Sequence, residues 1–463
     1  MAGTGAAFFD LDRTLLKGAS GPIIADALRE AGVITRGAYP GERLVFGAFN
    51  LIGETLPSMA LTRQAARAAK GWSVLKVREA AEVAADRLVE AVEPFAREAI
   101  RDHHEHGRLV VLATTTPFDL VAPLAQRLGL DDVLATHYRV GPDGAYDGTI
   151  DGEFVWSRGK ARVVKHWARA RQIDLDDCFA YSDSVFDLPL LRSVGHPAAV
   201  NPDLRLLPIA VASRWPVLWF DAPPGVPKLL GLEPQRVATM LARAEFLPWV
   251  RIRVEGLDHV PDGGALLASN HRSYLDPLAV GFAGGRLGRP VRFLAKKEVT
   301  DAPIVGPITT ALGAIRVDRE GPTEEARAAA TAALRAGELV AIFPQGTIPR
   351  GPAFFEPELQ GRNGAVKLAT EAGRPIVPVG IWGTEKAWPR HKKVPYVMNL
   401  AEPPEVTIRF GEPYVPEPDE AGTAELMRRI ADLLPPEARQ RRVPSDAELA
   451  ATYPDGVIPG SDG

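Results

Sequence analysis

Phe8-Phe9-Asp10-Leu11-Asp12-Arg13-Thr14 closes a short apolar run, Ala6–Phe9, with two carboxylates one residue apart. A brief continuous apolar run reads as a strand buried on both faces, and such strands belong to parallel sheets. In open sheets of that class chemistry gathers beyond the carboxyl ends of the strands, where Asp10 and Asp12 would stand. From Ser20 to about Arg101 the pattern turns helical, rich in alanine, glutamate, arginine and leucine. Arg108–Ala113 is a second buried-strand candidate, followed by Thr114-Thr115-Thr116-Pro117 and a helix through Leu128 that Gly129 closes. Strand and helix then alternate through Cys178–Tyr181 to Pro216–Phe220. The expectation for residues 1–221 is an α/β, doubly wound parallel sheet of Rossmann-like form, with residues 20–101 inserted as a helical cap.

Ala222-Pro223-Pro224-Gly225-Val226-Pro227 discourages either regular structure, so residues 222–238 read as a linker. A second α/β pattern occupies residues 239–434. Ala265–Ser269, Leu339–Phe343 and Pro375–Ile381 are its apolar strand candidates. Thr323–Ala336 reads as a helix with Thr323 as its N-cap and Gly337 beyond its end. Residues 435–463, rich in Pro, Gly, Asp and Ser, read as a poorly ordered tail.

At 463 residues the chain exceeds what one hydrophobic core supports, because single cores stop growing near about 300 residues. A hydrophobic content of 46%, 24% charged residues and a formal net charge of −4 describe an ordinary globular chain, and no nucleic acid is expected as a partner. The single cysteine, Cys178, excludes an intramolecular disulfide and any multi-cysteine metal cage, which fits a reducing cytoplasm. Leu44–Met59 is interrupted by Glu54 and Pro57, and Leu206–Phe220 by Pro208, Arg214 and Pro216. Neither offers the roughly 20 apolar residues that span a bilayer.

Four pieces stand in order in the first half: Asp10-x-Asp12-x-Thr14, Thr114 after a strand, Lys160, and Asp183-Ser184-Val185-Phe186-Asp187 after another strand. Taken singly, an Asp-x-Asp at a strand end serves more often as a turn or cap, and a lysine as a solvated surface charge. A carboxylate attacks an anionic phosphomonoester only if cations offset the repulsion and hold phosphorus in line. Mg²⁺ on oxygen ligands would do so, with Lys160 adding fixed charge and the Thr114 hydroxyl donating to a phosphoryl oxygen. Together the four pieces resemble the haloacid dehalogenase superfamily in its phosphoserine-phosphatase-like branch. That resemblance implies Asp10 as nucleophile, Asp12 as acid and base that also gives Mg²⁺ its backbone carbonyl, and Thr114 and Lys160 as phosphoryl ligands; it implies a Mg²⁺ site comprising Asp10, Asp12, Asp183 as ligand and Asp187 in support.

In the second half, Asn270-His271-Arg272-Ser273-Tyr274-Leu275-Asp276 spaces a base and a carboxylate just after a candidate strand. A histidine whose tautomer is fixed by a carboxylate can deprotonate an alcohol for attack on a thioester, although a lone histidine near an apolar run is more often structural. Further blocks follow in series: Phe293–Glu298, Gly313–Arg319, Phe343-Pro344-Gln345-Gly346-Thr347 and Ile376–Val379. With the first block they resemble the glycerolipid acyltransferases, specifically the 1-acylglycerol-3-phosphate acyltransferases. The resemblance implies His271 and Asp276 as the catalytic pair, and Lys296, Arg319, Gln345, Gly346 and Thr347 as substrate-binding residues. It also implies an acyl-CoA or acyl carrier protein thioester as donor and a lysophospholipid as acceptor.

Two positions depart from that family's pattern, since Gln345 replaces a glutamate and Ile348 an arginine. Loss of an arginine fork weakens the hold on a phosphate, leaving Arg319 and Arg350 to supply it. Arg286, Arg289, Arg292, Lys296 and Lys297 face no acid within their own run, usually the mark of a solvated face; beside an acyltransferase site they would meet anionic headgroups or the phosphates of coenzyme A, with Trp215, Trp219 and Trp249 adding membrane-surface contacts. The whole reads as a bifunctional phosphatase and acyltransferase, cytoplasmic and in peripheral contact with the inner face of the cell membrane.

Overall fold

The computed structural model describes residues 5–34, 65–223, 226, 228, 233–235, 247–296, 314–317, 324–392 and 394–459. They fall into two units, Met1–Pro224 and Gly225–Gly463.

In the first unit β1 (Ala6–Phe9) lies at the centre of a seven-stranded sheet. Its neighbours are β2 (Leu109–Pro117) and β5 (Phe179–Ser182), both parallel to it. β3 (Asp132–Val140) and β4 (Tyr146–Asp151) extend the sheet beyond β2, while β6 (His196–Val200) and β7 (Val217–Leu218) extend it beyond β5. Only β4 runs antiparallel to its neighbour. The order β4-β3-β2-β1-β5-β6-β7 reverses direction at β1, the switch point at which a doubly wound sheet opens its crevice.

All four β1 side chains are buried, and alternate ones serve opposite faces. Phe8 meets Trp167 edge to face, with ring centroids 5.4 Å apart. Phe9 stacks on Tyr181 at 4.4 Å. Burying such a ring stabilises the fold by roughly 1.5–3 kcal/mol, which is why this stretch cannot turn outward.

Of the expected cap, α1 (Gly21–Glu30) and α2 (Val74–Glu90) are described and pack on each other, while residues 35–64, including Leu44–Met59, lie outside the described residues. The next helix, α3 (Pro94–Glu105), departs from the expectation, because it packs against β2. Its buried His103 places Nε2 2.9 Å from the Tyr181 hydroxyl, so this helix covers the sheet.

In the second unit β9 (Ala265–Ser269) is central between β12 (Leu339–Ile342) and β13 (Ile376–Trp382). β10 (Val291–Lys296) and β11 (Ile315–Val317) continue beyond β12, and β14 (Glu405–Phe410) and β8 (Arg251–Glu255) beyond β13. β13 and β14 pair antiparallel and the other neighbours are parallel. Gly264 enters β9 so close to another segment that a Cβ there would lie 1.9 Å from the Leu334 carbonyl oxygen.

Three expectations are corrected here. Glu233 and Gln235 are buried, and Gln235 Nε2 donates to the Val291 carbonyl of β10 at 2.5 Å, so this part of the expected linker packs into the second unit. Two members of the basic run are turned inward: Arg292 is wholly buried, paired with Glu233 and with Glu338 at 3.1 Å, and Arg289 donates to the carbonyls of Pro261, Gly263 and Gly337, whereas Arg286 is exposed and the side chains of Lys296 and Lys297 lie outside the described residues. Trp215 and Trp249 pack against the two cores. The expected tail is ordered through residue 459 and carries a helix, Asp446–Ala451, whose capping box joins Ser445 and Glu448. That segment docks through Thr452 Oγ1, which accepts from Gly351 N at 2.7 Å. Among the described residues no helix is long and apolar enough to cross a membrane.

Candidate active sites

The first site is assembled by register. Phe9 pairs with Leu112 on one side and Tyr181 on the other, so Thr114 and Asp183 flank the turn that follows Asp10. The Asp10 N–H donates to the Tyr181 carbonyl at 3.0 Å, which fixes the residue at the strand end. Lys160 sits in the first turn of a helix, Arg158–Ala170, and is only 1% exposed. Its Nζ lies 2.8 Å from Asp10 Oδ1 and 2.7 Å from Asp187 Oδ2, which removes the reading of a solvated lysine. Ser182 Oγ also donates to Asp187 Oδ2, at 2.8 Å. Thr114 is buried, and its Oγ1 accepts from Thr116 N at 3.2 Å.

Asp12 turns its carboxylate toward the start of the cap, where Ser20 N donates to Oδ1 at 2.5 Å. Burial pushes this carboxyl up from the ordinary carboxylate range, and the Ser20 hydrogen bonds only partly oppose it. A carboxyl that holds its proton more tightly suits a group that must protonate a leaving alcohol.

Arg13, at φ +57°, was not foreseen from the sequence; its Nε lies 3.0 Å from Asp183 Oδ2. Asn201 Nδ2 holds the Arg13 carbonyl at 2.9 Å.

No three His, Cys, Asp or Glu side chains among the described residues converge into a metal cage. Asp187 Oδ2 is engaged by Lys160 and Ser182, and the Asp12 carboxylate by Ser20. The site still fits a divalent cation. Asp10, Asp12, Asp183 and Asp187 face two cations, Lys160 and Arg13, and the buried Asp187 Oδ1 accepts no hydrogen bond. By the resemblance stated above, Asp10, Asp183 and the Asp12 backbone carbonyl are the oxygens that would hold it.

The second site is built around one carboxylate. Asp276 opens the helix Asp276–Arg286 and is wholly buried. Its Oδ2 accepts from His271 Nδ1 at 2.7 Å, Arg272 N at 2.6 Å and Ser273 N at 2.8 Å, while Oδ1 accepts from Thr384 Oγ1 at 2.5 Å. With Nδ1 as donor to the carboxylate, Nε2 is left as the basic nitrogen.

His271 stacks on Phe343 at 4.3 Å, and its backbone N–H donates to Gln345 Oε1 at 2.7 Å. Gln345 is therefore an anchor of the base, and an amide oxygen accepts there as a carboxylate would. Asn270 fastens the turn to β13 through reciprocal 2.8 Å bonds with the Ile381 backbone. The Arg272 guanidinium lies between the Phe354 and Trp382 rings, 4.2 and 4.1 Å away, and pairs with Glu385 at 3.0 Å.

Gly346, at φ +71°, and Thr347 are exposed beside the base. A Cβ at Gly346 would meet the Arg362 guanidinium at 3.5 Å, which marks a cation that no sequence block pointed to. Ile348 is buried and its carbonyl is held by Arg390. An arginine at 348 would thus have to bury its charge beside Arg390, which explains the apolar residue. Lys296 continues β10, with its side chain outside the described residues, and Arg319 lies wholly outside them.

A haloacid dehalogenase-like hydrolase family profile matches residues 7–192, and an acyltransferase profile matches residues 251–382. The chain is 35% identical over 225 residues to the "inhibition of morphological differentiation protein" of Streptomyces azureus, covering 47% of this chain and 79% of that one. It is also 35% identical over 237 residues to phosphoserine phosphatase SerB1 of Mycobacterium tuberculosis, covering 50% of this chain and 77% of that one. Among solved structures, the Thermotoga maritima 1-acyl-sn-glycerophosphate acyltransferase PlsC is similar at 21% identity and a TM-score of 0.33, over 42% of this chain and 77% of that one. The chain belongs to the haloacid dehalogenase-like hydrolases through its first unit and carries an acyltransferase domain in its second.

Proposed function

We propose that the first unit is a Mg²⁺-dependent phosphomonoester phosphatase and that the second transfers an acyl group from a thioester to lysophosphatidate, giving phosphatidate. The buried Lys160 clamp on Asp10 and Asp187 carries the first assignment. Lys160 restrains the Asp10 carboxylate and offers charge to the phosphoryl oxygens. An Asp10 oxygen bonds to phosphorus as the ester P–O bond breaks, and Asp12 gives its proton to the departing alcohol. Asp12 then takes a proton from water as that water cleaves the aspartyl-phosphate and phosphate leaves. Bound at Asp10, Asp183 and the Asp12 carbonyl, Mg²⁺ would offset phosphoryl charge. The name of the mycobacterial relative supports phosphoserine as a substrate beside phosphatidate.

In the second unit the His271–Asp276 pair carries the assignment. His271 Nε2 takes the acceptor hydroxyl proton as that oxygen attacks the thioester carbonyl. The C–S bond then breaks and the thiolate of coenzyme A or acyl carrier protein receives the proton. Arg362 at Gly346 and the exposed Arg350 support a phosphate on the acceptor.

The test is one preparation given phosphoserine, phosphatidate and lysophosphatidate with Mg²⁺, and lysophosphatidate with an acyl thioester. Phosphate release from at least one monoester and thioester-dependent phosphatidate formation are expected. No release from any monoester would overturn the first assignment, and acylation only of acceptors with a blocked phosphate would overturn lysophosphatidate.

A further inference from the structure

With Arg289 and Arg292 absorbed into the fold, the exposed apolar side chains point elsewhere. Among the described residues they concentrate in Val394, Tyr396, Val397, Met398 and Leu400, with Met398 85% and Val394 69% exposed. Single exposed apolar residues are ordinary, whereas a contiguous group marks a surface that meets something.

This loop has a fixed seat beside His271. Tyr396 N donates to the Ala387 carbonyl at 2.9 Å, and Trp388 Nε1 donates to the Lys392 carbonyl at 3.0 Å. The Trp388 carbonyl in turn accepts from Ser273 Oγ at 2.6 Å, and its ring meets Tyr274 edge to face at 5.9 Å. Tyr274 and Leu278 are themselves exposed, so the apolar surface runs from the loop to the residues just after the base.

The charge around the loop has one sign. Lys386 and Lys392 are exposed, and in the sequence Lys393 adjoins them with no acid between Glu385 and Glu402; Arg390 is turned inward onto the Ile348 carbonyl, and Glu385 is paired with Arg272. Apolar side chains projecting from a basic rim are the chemistry of an interfacial element. The apolar groups enter the acyl boundary and the cations meet anionic headgroups.

We propose that the Val394–Leu400 loop docks the second unit on an anionic lipid bilayer and presents the His271 site to it. The proposal deepens the acyl-transfer reading and rests on it for the identity of the site that the loop serves. A lipid acceptor would then reach His271 along the surface in which its chain is already embedded.

The experiment sediments the full chain with vesicles of phosphatidylcholine alone or mixed with phosphatidylglycerol. Wild type is compared with Val394→Asp/Met398→Asp/Leu400→Asp and with Lys392→Glu/Lys393→Glu. Wild type is expected to favour the anionic vesicles, less so at high salt. The triple variant should lose at least about tenfold in partitioning to both vesicle types. The charge-reversal variant should lose the preference for phosphatidylglycerol. Both variants should keep wild-type thermal midpoints, phosphate release and acyl transfer to a short-chain lysophospholipid dispersed in water.

Equal partitioning of wild type and triple variant would overturn the proposal, as would failure of wild type to bind either vesicle. A concentration-dependent dimer that the triple variant abolishes, without vesicle binding, would assign the loop to a second copy of the chain. Vesicle binding lost as expected, in a protein that acylates no dispersed acceptor, would uphold the docking loop and remove the acyl-transfer reading.

Discussion

The Asp10 site gathers side chains from positions 10 to 187, delivered by the ends of β1 and β5 and the start of a helix, whereas the His271 site takes its base and carboxylate from a single turn. The first is held by balanced buried charge: Lys160 between two aspartates, Arg13 on a third. The second is held by hydrogen bonds, with three donors on Asp276 Oδ2 and one on Oδ1. The contrast teaches that loss of one charge should unsettle the first site as a structure, while loss of one donor should mainly misplace a proton in the second.

The largest effect is expected from Asp10→Asn, which removes the nucleophile. Phosphate release should fall on the order of 10⁴-fold with acyl transfer unchanged, measured on one preparation. Chelation of Mg²⁺ should divide the activities in the same way. Parallel loss of both would break the two-site comparison. His271→Ala is the mirror experiment: acyl transfer should fall by about 10²–10⁴-fold, the share of a general base, with phosphate release retained.

Lys160→Met sharpens the structural half of the contrast. It leaves Asp10 and Asp187 buried without their shared cation, and breaking a buried pair in this way costs about 3–5 kcal/mol. A lowered first thermal transition is expected, and an unchanged midpoint would show that charge balance does not hold the site. Gln345→Leu should be milder, about tenfold in kcat, because one neutral hydrogen bond to the His271 N–H is lost. Gln345→Glu should retain most of the rate.

The smallest effect concerns pH. Burial, aided by the Arg108 charge, pulls His103 down to about 4 from its ordinary 6.5. The unfolded chain therefore takes up this proton first as pH falls. The stabilisation is fully present above 6.5 and declines as pH drops toward 4. Thermal midpoints across that range should slope more steeply in wild type than in His103→Gln, and identical slopes would exclude the linkage.

What the sequence disclosed follows the same division. Ala6–Phe9 and Ala265–Ser269 were legible to the residue, because a strand buried on both faces is apolar without interruption. β8 and β14 were missed, since Arg251–Glu255 and Glu405–Phe410 alternate charged and apolar residues and announce no buried strand. Arg292 misled for a different reason: its compensating acids, Glu233 and Glu338, lie 59 and 46 residues away. Lys160 and Asp183 were readable as motif members, but the part of Arg13 depends on a backbone turn that no spacing encodes. The Ser445–Glu448 capping box was a readable sign of the last helix, masked by the surrounding prolines and glycines.

The central place of β1 also sets an order of events as the chain is made. Its hydrogen-bonding edges are satisfied by residues 109–112 on one side and 179–181 on the other. A ribosome must therefore release nearly all of the first unit before the strand bearing Asp10 has both neighbours. Until then Phe8 and Phe9 stand on a strand with at least one unpaired edge, the kind of segment on which nascent chains aggregate. Synthesis of the second unit follows, leaving time for that closure before β9 emerges. An arrest of translation shortly after residue 130 should leave a chain sensitive to protease at its N-terminus, and one after residue 224 a chain that resists.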